Sequence, residues 1–93
     1  MDREIDSIAV ATNKLAALYN EQFGGKPKGR YRIAVKLVCK LAGRRRLYED
    51  DVVKLTRAML ERGYVLIDMN SFFVIMSANT FVNYRRANEE CIS

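Results

Sequence analysis

Leu37 to Ile67 reads LVCKLAGRRRLYEDDVVKLTRAMLERGYVLI, and the order of signals in this stretch decides the fold. Leu37, Val38 and Leu41 continue an apolar helical stripe that begins at Ile33 and Ala34, and Gly43 closes it. A further helix is expected from about Tyr48 to Arg62, with Val52, Leu55, Met59 and Leu60 on its core face and Gly63 at its end. Glu49, Asp50 and Asp51 crowd its first turn, where they offset the positive end of the helix dipole. Beyond Gly63 the apolar spacing turns from helical to strand-like. YVLIDM and FFVIMS are two β-rich runs separated by Asn70-Ser71, which predicts a hairpin with Met69 opposite Phe72 and Ile67 opposite Val74. Both faces of that hairpin are apolar, so either both are covered or one binds a partner.

Working outward, residues 3–23 read as a first helix, with Ile5, Ile8, Thr12, Leu15, Leu18 and Tyr19 on one face and Gly24-Gly25 as its stop. GGKPKG, which holds the single proline, reads as a flexible linker. The second helix spans about Arg30 to Ala42, although Tyr31 to Val35 reads equally as a short strand at its start. A last helix is expected from about Asn79 to Glu90, turning Phe81, Tyr84 and Cys91 inward. The 93 residues make one domain, divided into an N-terminal helix (1–23), a central unit (30–77) and a C-terminal helix (78–93).

Charge is the second signal. The net formal charge is +5, but residues 24–46 alone carry nine cations and no acid, while residues 1–23 and 47–69 are each net −2 and the tail is neutral. Like charges concentrated in a folded segment repel, so the excess calls for a polyanionic partner more than for mere solubility. On a helix, Arg32, Lys36 and Lys40 recur every four residues and form one ridge, which Arg44 extends past Gly43.

Other function classes lack their residues. There is no histidine, no phosphate-binding GxxxxGK[ST] loop and no GxGxxG after a strand. Asp50 and Asp51 are adjacent, which sends their side chains about 100° apart on a helix and makes a poor catalytic or metal-binding pair. Ser7, Ser71 and Ser77 have no base to activate them. The chain is therefore read as a non-enzyme with no cofactor, no metal and no small-molecule substrate. Cys39 and Cys91 are too far apart in sequence for a ligand cluster and are read as reduced thiols, Cys91 being open to oxidative linkage of two chains. No apolar run suits a membrane span and MDREID does not suit a signal peptide, so a soluble, cytoplasmic protein is expected.

The stretch Leu37–Ile67 resembles the winged helix-turn-helix superfamily, most specifically in MLERGYVLI, which is similar to the exit of that family's recognition helix into its first wing strand. The resemblance covers about the central half of the chain. It implies an α+β fold, a small winged-helix domain of three helices, a two-stranded hairpin wing and a C-terminal helix. It further implies a third helix presented to the major groove of DNA, with Tyr48, Asp51, Lys54, Thr56 and Arg57 toward the bases.

The expected function is DNA binding by a small transcriptional regulator or DNA-architecture factor. Lys26, Lys28, Arg30, Arg32, Lys36, Lys40, Arg44, Arg45, Arg46, Lys54 and Arg57 are the candidate contacts with double-stranded DNA. The acidic start of the third helix and a hairpin tip without lysine or arginine fit this expectation poorly. The alternative is a protein-interaction module, an adaptor or anti-activator docking a larger regulatory protein through Ile5, Ile8, Leu15, Tyr19, Met69 and Phe72. A homodimer is expected under either reading, because a thin core gains from pairing.

Overall fold

Asp6 caps the first helix. Its carboxylate accepts from the backbone N–H groups of Ile8 and Ala9 at 3.0 and 3.1 Å, a cap worth about 1 kcal/mol. The computed structural model describes residues 6–92. Among these the architecture is α+β, with four helices, α1 (Ser7–Leu18), α2 (Val35–Ala42), α3 (Glu49–Glu61) and α4 (Glu89–Ile92). Strands β1 (Tyr31–Ala34), β2 (Tyr64–Asp68) and β3 (Phe72–Ser77) form one antiparallel sheet in the order β1-β3-β2.

α1 is shorter than the expected 3–23 helix. It ends at Leu18, where the N–H groups of Tyr19 and Asn20 turn back to Ala16 and Ala17, three residues earlier. The Tyr19 carbonyl then accepts from Gly29, and the Tyr19 ring lies 5.1 Å from that of Tyr64. Tyr19, still helical in its backbone dihedrals, thus caps α1 where these tertiary partners take over. The predicted linker is a tight turn, in which Phe23 and Lys26 exchange two backbone hydrogen bonds of 3.0 Å around Gly24-Gly25. Both glycines have left-handed φ, +58° and +80°, as the favoured two-residue hairpin turn demands.

The strand reading of Tyr31 onward is the correct one. Tyr31 and Ile33 face inward and half-buried, Arg32 and Ala34 face outward, and the four pair with β3 from Tyr31 opposite Ile75 to Ala34 opposite Phe72. α2 therefore starts only at Val35, whose N–H donates to the carbonyl of Ser71 in the hairpin turn. α3 departs from its expected bounds by one residue at each end, and the hairpin register has Ile67 opposite Val74 as read. The sheet has three strands, where a two-stranded wing was expected.

The expected helix over 79–90 does not form. A single 3₁₀ turn (Ala78–Phe81) follows β3, and α4 occupies only the last four described residues. Phe81 is half-buried and stacks edge-on with Tyr84 at 5.2 Å, while Tyr84 and Cys91 are exposed. Without a body surface to receive this face, the amphipathic spacing has nothing to stabilise a longer helix.

One core holds the rest. Ala11 and Leu15 from α1, Val38 and Ala42 from α2, and Leu55 and Met59 from α3 close over Leu66, Phe73 and Ile75 of the sheet. Each large side chain enclosed this way contributes roughly 1.5–3 kcal/mol by leaving water. Leu15, a candidate interface residue, is fully buried here, because the inner face of α1 is spent on α2 and α3. Tyr31 pins β1 to α1 by donating its hydroxyl to the Leu15 carbonyl at 2.5 Å. Burial, followed by the nearby Tyr64 and Glu21, raises the pKa of that phenol strongly.

Candidate nucleic-acid interface

α2 and the turn after it build the site. Gly43 ends the helix in the left-handed conformation (φ +69°), which a side chain would resist. The N–H of Arg44 then returns to the Cys39 carbonyl at 2.9 Å, so the chain reverses sharply and brings Arg44, Arg45 and Arg46 back beside α2. Lys36, Lys40 and these three arginines line a hollow of roughly 790 Å³, with Ala34, Val35, Cys39, Leu47 and Ser71 completing it. No acidic side chain among the described residues lines it.

The cations in the hollow are held in different ways. Arg44 is tied, its guanidinium 2.5 Å from Asp51. Asp51 also accepts the N–H of Tyr48 at 2.9 Å and so closes the N-terminus of α3. That backbone hydrogen bond first, and the Arg44 guanidinium second, hold the Asp51 carboxyl below the usual aspartate range. Arg46 lies over the ring of Tyr48, 5.5 Å from its centre. Lys36, Lys40 and Arg45 are exposed, and no ion pair engages them among the described residues. α2 has no side-chain cap, and its first turn carries Lys36 and no acid. The positive end of its dipole therefore adds to the field of the hollow, as at helix termini that receive phosphate.

The remaining predicted contacts lie elsewhere. Lys26 and Lys28 stand on the exposed turn preceding β1, and Arg30 just before it. That is the end of β1 paired near Ile75, whereas the hollow meets the hairpin turn at the opposite end. Arg32 belongs to the outward face of β1 and lies 5.5 Å above the Phe72 ring, so the ridge Arg32-Lys36-Lys40 is broken between a strand and a helix. Comparison with protein-family models, with curated proteins and with solved structures finds no match to this chain. The site is therefore read from its own chemistry.

Of the residues expected to face bases, Asp51 is buried and Thr56 is turned back on its own helix, donating to the Val52 carbonyl at 2.7 Å. Tyr48, Lys54 and Arg57 are exposed. So are Glu49, Asp50, Val53, Leu60 and Glu61, which makes the outer side of α3 mixed and slightly acidic. A neighbouring groove of about 440 Å³ runs between the start of α3 and the hairpin, lined by Val35, Leu47, Val52, Val53 and Phe73, with Glu49 and Asp68 its only charges among the described residues. Sequence reasoning did not find this groove, since its walls come from four separated segments. The unexpected lack of bases at the hairpin tip was the signal for it.

Among the alternative interface residues, Met69 is exposed, Ile8, Tyr19 and Phe72 are half-buried, and Ile5 lies outside the described residues. No group of His, Cys, Asp or Glu among the described residues forms a metal site. Cys39 is a buried free thiol, Cys91 an exposed one. No helix among the described residues is long and apolar enough to cross a membrane.

Proposed function

We propose that this chain is a winged-helix nucleic-acid-binding module that grips the phosphate backbone of a duplex in the hollow beside α2. The fold reading rests on α2, the arginine turn and α3, followed by the β2–β3 hairpin, an order that agrees with the resemblance carried by Leu37–Ile67. The observation that carries the function is the lining of the hollow, which among the described residues has five cations and no acid, with Lys36, Lys40 and Arg45 free of ion pairs. Such a surface suits an array of phosphates, which releases bound counterions on contact. The outer side of α3, with Glu49, Asp50 and Glu61 exposed, favours backbone gripping over base reading.

Fluorescence anisotropy with a labelled duplex tests this reading. Contact with about four phosphates predicts that log K falls against log salt with a slope of about −3.6, so affinity drops on the order of 100-fold between 50 and 200 mM salt. Two duplexes of unrelated sequence should bind equally. Absence of binding at low salt, or binding indifferent to salt, removes the proposal.

A further inference from the structure

We infer that the groove between the start of α3 and the hairpin receives the C-terminal arm of a second copy of this chain, with Tyr84 in the apolar trough and Arg85 and Arg86 against Glu49 and Asp68. The inference is independent of the nucleic-acid reading, because the arm and the groove share none of the five cations of the hollow.

Two surfaces of opposite character carry it. The groove is walled by Val35, Leu47, Val52, Val53 and Phe73, and the two charges among its described residues, Glu49 and Asp68, are both acidic. Val53, at its rim, is 52% exposed and adds apolar surface to the trough. The arm is the complement. Every residue from Val82 to Ile92 is exposed, with Val82 at 70% and Tyr84 at 61%. Arg85 and Arg86 are adjacent in the irregular stretch before α4, and no ion pair engages either among the described residues. An aromatic followed by two arginines is the chemistry that an apolar trough with an acidic rim accepts: the ring leaves water and the guanidiniums meet carboxylates.

Geometry selects the second copy over the chain's own arm. β3 runs from Phe72, at the groove end, to Ser77, where the arm departs. The own arm would have to return roughly 17 Å along that strand and step across to the helix side. Between Ser77 and Tyr84 the chain spends four residues, Ala78–Phe81, in a 3₁₀ turn that advances only about 2 Å per residue. The Tyr84 N–H then donates to the Phe81 carbonyl at 3.2 Å in a second turn, which holds those two residues within about 7 Å of each other, so the arm falls short unless the turns unwind. A partner arm meets no such limit, and a reciprocal exchange closes as a symmetric dimer.

Sedimentation velocity on the full chain, run at low and high micromolar concentration, tests the inference. A concentration-dependent dimer is expected. Arg85→Glu with Arg86→Glu should weaken dimerisation on the order of tenfold or more, as should Glu49→Arg with Asp68→Arg. Circular dichroism of each variant shows whether it folds. All four changes in one chain should restore the dimer, an outcome that misfolding or an unrelated interface cannot produce. A wild-type chain that stays monomeric overturns the inference. So does a dimer that tolerates Arg85→Glu with Arg86→Glu, or one that the fourfold variant fails to restore.

Discussion

The cationic hollow and the acidic groove share a wall and little else. Val35 and Leu47 line both, and the hairpin turn touches both, through Ser71 on one side and Asn70 on the other. Across that wall the charge changes sign, from Lys36, Lys40 and Arg44–Arg46 to Glu49 and Asp68. The hollow draws on a helix and the turn that follows it, so its character is written in one run of sequence. The groove draws on four segments and takes its character from packing. If both proposals hold, segregating the signs this way gives a polyanion and a cationic arm each an attractive surface on one small body.

The largest effect should come from emptying the hollow. Lys36→Ala, Lys40→Ala, Arg45→Ala and Arg46→Ala together are expected to lower duplex affinity at 50 mM salt on the order of 100-fold and to flatten the salt slope, each removed phosphate contact taking about one from it. Unchanged anisotropy titrations would erase the distinction between the two regions. A smaller but opposite effect is expected from making the groove resemble the hollow. Glu49→Lys with Asp68→Lys should tighten duplex binding on the order of tenfold and steepen the slope by up to about two.

Asp51→Asn acts on the hinge between the regions. Its carboxyl is held low in the folded state, so the unfolded chain takes up the proton first as pH falls. The stability that Asp51 contributes is therefore complete above the ordinary aspartate value of about 4 and is lost as pH drops through the folded value. Urea unfolding at pH 7 and pH 3 should show that the variant is less stable than the wild type at pH 7, and that the gap narrows at pH 3. Freed of its partner, Arg44, already in the lining of the hollow, should also become available to a phosphate and steepen the salt slope by about one. The smallest effect is expected from Lys54→Ala with Arg57→Ala, about two- to fivefold on duplex affinity. A loss greater than that from the hollow would move the grip onto α3.

Local signals carried much of this structure. α3 is framed by Asp51 at one end and Gly63 beyond the other, and the hairpin register follows from a two-residue turn. What sequence could not supply was non-local. Ile33 satisfies a helical stripe with Leu37 as well as it satisfies a strand, and only the free edge of β3, some forty residues on, decides between them. Phe81, Tyr84 and Cys91 keep helical spacing without a surface to bury against. The candidate site divides in the same manner. Lys36, Lys40 and the arginine turn were legible as a cluster, being close in sequence. The separation of Lys26, Lys28 and Arg30 from them was not, because it depends on β1 running the length of the sheet between the two groups.

The hydrogen bond from Tyr31 to the Leu15 carbonyl gives the molecule an optical gauge of its own integrity. The chain has five tyrosines and no tryptophan, so its near-ultraviolet absorbance is phenolic. Because burial raises the pKa of the Tyr31 phenol above the ordinary tyrosine value of about 10, its phenolate band should come late in an alkaline titration, and the proton then lost is the one that joins β1 to α1. A stepwise alkaline titration would then record the parting of the two elements as a late rise in absorbance, without any label attached.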